Sequence, residues 1–249
     1  MDIALFSPSS LFADPDGSSS EEETIETHDN FVERKHQFPG TELLIREFSF
    51  HQLNANLLWP GTFAFAEWLV QHRSQIEGRR VLELGSGTGA LAIFLAKSFQ
   101  LDITTSDYDD VEIEENIAHN CRINGVTSLL PHIRHSWGDV FPISDPDWDL
   151  IIASDILLYV KQYGNLIKSL SFLLKSYKPK ASKEVACTTG HHDQFPLIRP
   201  TFLMSWRRRI GKEDESIFFS GCKEAGLEVV HIGSRVYSIS LRGDTCEFS

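Results

Sequence analysis

The 249-residue chain has four cysteines, no CxxC pair, no apolar run of 18 residues, and no lysine or arginine before Arg34. The scattered cysteines speak against a disulfide framework or a zinc site and indicate free thiols in a reducing compartment. The apolar runs are too short to span a membrane, and the first residues lack the basic and apolar regions of a secretion signal. We therefore expect a protein of the cytosol, the nucleus or both, with no membrane partner and no metal.

Acidic residues are concentrated at the start of the chain. Residues 1–33 contain nine acidic residues, which leaves only −3 of the formal net charge of −12 for the rest. This near balance speaks against a nucleic-acid partner. We expect residues 1–33 to form a disordered tail and residues 34–249 to fold as one domain. The tail would increase solubility, and the alternative is that it docks on a partner.

Strand and helix patterns alternate after the tail. Strands are expected over residues 41–51, 80–84, 101–106, 132–137, 149–154 and 202–208, helices over 62–72, 90–99, 110–124, 162–176 and 213–225, and a hairpin over 227–241. This order predicts a mostly parallel sheet with helices on both faces and an antiparallel hairpin at the C-terminal end. The mixed pattern of residues 178–200 indicates an inserted strand and loop.

Three alternating glycines, Gly85, Gly87 and Gly89, follow a buried strand and precede an apolar helix. Such a turn lets the backbone approach a ligand and leaves its amides free to donate. Asp107 ends the next strand, where a carboxylate can accept both hydroxyls of a ribose. The pair predicts an adenosine-containing ligand. Because Gly85, Gly87 and Ala90 also fit the dinucleotide fingerprint, an NAD-linked reductase stays open as an alternative.

Glu83 completes the pattern E-x-G-x-G-x-G, which resembles motif I of the class I S-adenosylmethionine-dependent methyltransferases. The segments LWPG (58–61), WGD (137–139), DLIIASD (149–155) and FF…AGL (218–227) also resemble the methyltransferase-like protein-lysine methyltransferases, the methyltransferase-16 group that includes nicotinamide N-methyltransferase-like proteins. The likeness covers about residues 41–241. It implies a Rossmann-like, doubly wound, seven-stranded α/β sheet and S-adenosyl-L-methionine as the cofactor.

The resemblance also implies a set of site residues. The cofactor contacts that it implies are Trp59, Glu83, Gly85, Ser86, Gly87, Thr88, Gly89, Asp107, Trp137 and Ser154. Asp107 would hold the ribose, and Trp137 would lie against the adenine. For Trp59 and Trp137 the alternative is packing in the core. For Glu83 the alternative is a structural role in which it orients the glycine loop and does not contact the cofactor.

Asp155 and Tyr159, which follow the strand expected over residues 149–154, are the residues that the resemblance implies to be catalytic. Asp155 would bind the incoming amine, and Tyr159 or Trp59 would present an aromatic face to a cation. The family's tyrosine stands three residues after the aspartate, a place that Leu158 takes here. On a helical turn this shift rotates a side chain by about 100°. A half-buried packing role is the alternative for Tyr159.

The resemblance implies a methyltransferase whose partner is a protein substrate with a target lysine. We also expect a monomer. A small-molecule N-methyltransferase and a non-catalytic S-adenosylmethionine-binding module are the alternatives. The arginines at 207–209 are flanked by acidic residues, and we expect them to form a solvated rim.

Overall fold

The computed structural model describes residues 25–28, 31–52, 54–180 and 197–243. Within these ranges the strands are β1 (Ile25–His28), β2 (Phe31–Phe38), β3 (Thr41–Phe48), β4 (Arg80–Leu84), β5 (Asp102–Asp107), β6 (His132–Arg134), β7 (Leu150–Ser154), β8 (Thr201–Ser205), β9 (Leu227–Gly233) and β10 (Val236–Leu241). The helices are α1 (Pro60–Gln71), α2 (Arg73–Ile76), α3 (Ala90–Phe99), α4 (Val111–Ile123), α5 (Tyr163–Lys175) and α6 (Lys212–Glu224). Most of the predicted tail and of the predicted insertion lies outside the described residues. None of the helices above combines the length and apolarity that a membrane crossing requires.

Seven strands form one sheet in the order β6-β5-β4-β7-β8-β10-β9. The pairs β5–β6, β4–β5, β4–β7 and β7–β8 are parallel, whereas β10 runs antiparallel to both β8 and β9. The predicted mostly parallel sheet with an antiparallel C-terminal hairpin is confirmed. Because the chain winds outward from β4 in one direction and from β7 in the other, the carboxyl ends of β4, β5 and β7 meet at a switch point.

Helices cover both faces of this sheet, and alternate residues of its central strands enter different hydrophobic clusters. In β7, Leu150 and Ile152 pack in the cluster with α1, α3 and α4, whereas Ile151 and Ala153 pack with α5 and α6. Residues 90–95 of α3 are all apolar and buried, whereas Lys97 in its last turn is exposed. Its Phe94 stacks on Phe38 of β2 with ring centroids 5.1 Å apart.

A second, antiparallel sheet of β1, β2 and β3 precedes this fold. β1 and the first residues of β2 lie within residues 1–33, so for these residues the structure differs from the predicted tail. β2 pairs with β3 along its whole length. Phe31 packs on Phe48, with ring centroids 5.1 Å apart, and the Glu33 carboxylate lies 3.1 Å from His119 Nε2. These contacts give Phe31 and Glu33 defined partners in the fold, although the acidic composition of this segment had predicted disorder.

Helix α4 and the residue that caps its C-terminal end connect the small sheet to the large one through asparagines spaced by four residues. Asn120 Oδ1 accepts from the Arg46 amide at 2.8 Å, and its Nδ2 donates to the Arg46 carbonyl at 3.1 Å. Asn124 makes the same pair of contacts with Leu44, at 3.0 and 2.7 Å, and Asn116 Nδ2 donates to Arg46 O. The three amides thereby serve the edge of β3 as a neighbouring strand would.

Asn120 is fully buried, and its Nδ2 also donates to the Thr88 carbonyl in the glycine loop. We expect Asn120→Ala to lower the free energy of unfolding by about 1–3 kcal/mol, because the Arg46 amide and the Thr88 carbonyl lose their contacts with Asn120. Urea denaturation measures the change. Glu115→Ala, an exposed substitution on the same helix, should stay within about 0.5 kcal/mol of wild type. Equal losses in the two variants would refute this role for Asn120.

Candidate active site

A cavity of about 430 Å³ opens at the carboxyl ends of β4, β5 and β7. Its volume is typical of small-molecule sites. The residues predicted to contact a cofactor that line it are Trp59, Glu83, Gly85, Ser86, Gly87, Thr88, Asp107, Trp137 and Ser154. Gly89 is not among the lining residues. It precedes the first residue of α3 and has a φ of 76°, and a side chain there would approach Ile117 Cγ2 to 3.0 Å, which indicates close packing against α4.

The glycine loop after β4 has a backbone that other residues rarely adopt. Gly85 and Gly87 have φ angles of 64° and 51°. A methyl group at Gly85 would lie 2.8 Å from Ile156 Cγ2 and 3.8 Å from Trp137 Cζ2, so a side chain there would also intrude between cavity residues. The Ser86 hydroxyl accepts from the Ser106 amide at 3.1 Å and fixes the loop to β5.

Asp107 ends β5 beside this loop. Its Oδ2 accepts from the Gly87 amide and its Oδ1 from the Tyr108 amide, each at 2.7 Å. Burial raises the pKa of Asp107, and these two amide hydrogen bonds oppose the rise. Each carboxylate oxygen can accept a further hydrogen bond, and the residue lines the cavity. Asp107 therefore suits a ligand with neighbouring hydroxyl groups.

Glu83 lines the cavity from within β4 and is only 3% exposed. Its Oε2 has no hydrogen-bond partner among the described residues. Burial raises the pKa of Glu83 to about 8; a hydrogen bond with Ser86 lowers it, and the charge of Asp107 raises it further. A buried carboxyl oxygen that lacks a partner, in a residue that lines a cavity, is a candidate acceptor for a ligand's donor. Glu83 thus has the character of a binding group for a cationic or N–H-bearing end.

Aromatic side chains form one wall of the cavity. The Trp59 Nε1 donates to the Asn54 carbonyl at 3.1 Å, and the Arg209 guanidinium lies 4.3 Å from the Trp59 ring centroid. Tyr159 lines the cavity despite its displaced position, and so does Leu158. Residues 157–158 form a turn, and Tyr159 has an extended backbone just before a short 3-10 helix, Val160–Gln162, so the expected helical rotation does not apply.

The Asp155 carboxylate has a different environment from the one expected. Its Oδ2 accepts from the Gly61 amide and from Arg209 Nη2, each at 2.7 Å, and its Oδ1 accepts from the Arg207 amide at 2.9 Å. The side chain is fully buried, and a φ of 54° turns it toward the start of α1. Asp155 is among the residues that line the cavity, and these three donors hold the carboxylate that was predicted to bind the incoming amine. A catalytic role for Asp155 stays a prediction.

Sequence reasoning did not identify three residues of this region: Asn54, Thr62 and Arg209. Thr62 Oγ1 lies 2.8 Å from the Ser154 hydroxyl, which joins α1 to the end of β7. Arg209 is only 10% exposed, in contrast to the solvated rim expected of the arginine run. Its burial has no local sequence signal, since the partners that cover it, Trp59 and Asp155, come from distant segments.

The sequence profile of a family described as lysine methyltransferase matches residues 37–192. The chain belongs to this family. Protein N-terminal and lysine N-methyltransferase efm7 of Aspergillus fumigatus is 27% identical over 179 residues, which is 67% of each chain. Histone-arginine methyltransferase METTL23 of Xenopus laevis is 28% identical over 120 residues, 47% of this chain. The match spans about half (51%) of the length of METTL23.

A solved structure shares the fold of this lysine methyltransferase family member. The 16S rRNA N2 G1207 methyltransferase RsmC of T. thermophilus, in complex with AdoMet and guanosine, superposes with a TM-score of 0.54 at 15% identity. The superposition covers 86% of this chain and 51% of that one. Family and fold are those of the S-adenosylmethionine-dependent methyltransferases.

The cavity residues fit that cofactor. The open Oε2 of Glu83 offers an acceptor for the amino-acid end, and the free acceptor capacity of Asp107 suits the ribose hydroxyls. Trp137 offers an aromatic surface beside the glycine loop for the adenine. The fit rests on an orphaned buried oxygen and on a backbone that approaches closely, both of which are features of this chain.

The raised pKa of Glu83 makes the stability of the protein pH-dependent. The folded state keeps a proton up to about pH 8, whereas the unfolded chain releases it near 4.5. The stability that this group contributes is therefore complete below about pH 4.5 and is lost as pH rises through about 8. We expect Glu83→Gln to gain stability relative to wild type as pH rises across this window, by at most about 1.4 kcal/mol per pH unit.

Urea denaturation without cofactor at several pH values between about 5 and 8 measures this difference. Glu115→Gln changes an exposed glutamate and should follow the wild-type pH dependence. A Glu83→Gln curve that runs parallel to the wild-type curve would show that Glu83 is ionised throughout, against this prediction.

Proposed function

We propose that this protein transfers a methyl group from S-adenosylmethionine to a lysine side chain of a protein substrate. The observation that carries the proposal is the pairing of an open, buried Glu83 oxygen with Asp107 across one glycine loop, in a cavity that continues to Trp59 and Tyr159. The cofactor supplies a methyl group on a sulfonium, which is already activated for displacement. The protein contributes alignment and exclusion of water.

The aromatic wall suits an amine acceptor. A lysine amine has a pKa of about 10.4 in water and must lose its proton before it attacks, which apolar surroundings favour. Trp59 and Tyr159 provide such surroundings together with aromatic faces for a cationic product. Burial raises the pKa of Tyr159, so its phenol is neutral at physiological pH and presents an uncharged oxygen to the acceptor.

Named relatives support a protein as the substrate class. The match to efm7 is accompanied by one to EEF1A lysine methyltransferase 3 of Xenopus tropicalis, 26% identical over 155 residues. We extend the proposal to a monomer that acts in the cytosol, the nucleus or both, without nucleic acid, membrane or metal. The near balance of charge after the acidic segment supports the absence of a nucleic-acid partner.

Transfer of tritiated methyl groups into fractionated cell lysate tests the proposal. Wild-type protein should label the protein fraction and not the small-molecule fraction, with the label on lysine by mass spectrometry. Gly87→Arg places a long side chain in the cavity and should reduce the label to background. Gly40→Arg, the same change at an open turn position with positive φ, should retain labelling.

Label confined to small molecules would identify a small-molecule methyltransferase instead. Tight binding of S-adenosylmethionine with no label in either fraction would identify a non-catalytic binding module. Either result would overturn the proposed function.

A further inference from the structure

Asn54 contacts both aromatic walls of the cavity. It lies between β3 and α1, and its Nδ2 donates to the Tyr159 hydroxyl oxygen at 2.6 Å although the two residues are 105 positions apart. Its backbone carbonyl accepts from Trp59 Nε1 at 3.1 Å. All three residues line the cavity. One residue thus reaches one wall with its side chain and the other with its backbone.

The backbone of Asn54 is in a conformation that residues with side chains seldom adopt. Its φ is 56°, in the left-handed region, where asparagine is tolerated better than most residues. Its amide donates to the His51 carbonyl at 3.0 Å, which closes the turn. Such conformations persist where surrounding contacts hold them and concentrate at functional sites. Here the contacts that accompany it are those to Trp59 and Tyr159.

The remaining supports of the two walls are different. Arg209 covers one face of Trp59 and is itself fixed by Asp155, so Trp59 is held at its edge by Asn54 and at its face by a guanidinium. Tyr159 follows Leu158 in a turn, where its chain position alone does not set its direction. The hydrogen bond from Asn54 supplies that direction.

We propose that Asn54 is a positioning residue that sets Tyr159 and Trp59 as the walls of the acceptor channel and compensates for the one-residue displacement of the tyrosine. The proposal rests on the proposed function. Because Asn54 donates to the phenol oxygen, the phenol's own hydrogen points elsewhere, and the oxygen keeps acceptor capacity for an N–H of the substrate amine. The neutral phenol would then orient the amine without taking its proton.

The test combines a titration that needs no substrate with a double-mutant cycle. Asn54→Gly keeps the left-handed backbone and the carbonyl used by Trp59 but removes the amide donor. The Asn54 hydrogen bond lowers the pKa of Tyr159. We therefore expect the pKa of Tyr159 to rise in Asn54→Gly, measured by ultraviolet titration after subtraction of the matching Tyr159→Phe curve. Gln52→Gly, an exposed change in the same loop, should leave it unchanged.

The cycle measures methyl transfer to the protein substrate found by the labelling experiment. Asn54→Gly and Tyr159→Phe should each lower kcat/KM by about tenfold, and the double variant should lose no more than either alone. Binding of S-adenosylhomocysteine, measured by calorimetry, should change less than about threefold in each variant, because the cofactor contacts are intact. Gln52→Gly should retain wild-type kcat/KM.

An unchanged Tyr159 titration in Asn54→Gly, or losses that multiply in the double variant, would overturn the positioning role of Asn54. The pKa of Tyr159 could rise in Asn54→Gly while the wild-type protein transfers no methyl group. The contact between Asn54 and Tyr159 would then be real but only structural. That result would refute the proposed function and this proposal together, and the titration distinguishes it from failure of the Asn54 contact.

Discussion

The hydrogen bond from the Gly87 amide to the Asp107 carboxylate joins the ends of two adjacent parallel strands, and the cavity is built around it. It holds an amide of the glycine loop at a fixed distance from the end of β5. The loop can take this path because Gly85 and Gly87 have positive φ angles, and a side chain at Gly85 would collide with Ile156. Glu83 precedes the same loop, and its carboxyl group is buried with one oxygen that lacks a partner in the part of the chain that the structure describes. The backbone conformation of the glycine loop forms the cavity, and the acidic side chains beside the loop then supply its polar groups.

Aspartates at the ends of β5 and β7, the strands on either side of β4, have different surroundings. Asp107 keeps acceptor capacity toward the cavity, whereas Asp155 accepts from Gly61, Arg207 and Arg209 and is fully buried. The left-handed backbone at Asp155 turns its carboxylate toward the start of α1. The buried charge is compensated by the Arg209 guanidinium, and the same guanidinium covers Trp59. Asp155 is thereby linked to Trp59 through Arg209.

The parallel sheet and the cofactor side of the cavity were predictable because their signals are local: apolar strands, glycine spacing and an acid at the next strand end. Strand β2 was missed because its sequence, FVERKHQF, is largely polar and depends on pairing with β3. The four-residue spacing of Asn116, Asn120 and Asn124 was a usable signal for the edge contact with β3. Asn54 offered no such signal, since its partner Tyr159 is 105 residues away and approaches through a turn.

Isothermal titration of the wild-type protein and of Asp107→Ala, with S-adenosylmethionine and separately with NADH, tests most directly whether this cavity is a cofactor site. We expect the wild-type protein to bind one equivalent of S-adenosylmethionine and no NADH. Asp107→Ala should weaken S-adenosylmethionine binding at least about tenfold, since a charge-assisted hydrogen bond is worth about 1.5–3 kcal/mol. Binding of NADH, or equal affinity of both proteins for S-adenosylmethionine, would contradict the assignment of this cavity to S-adenosylmethionine.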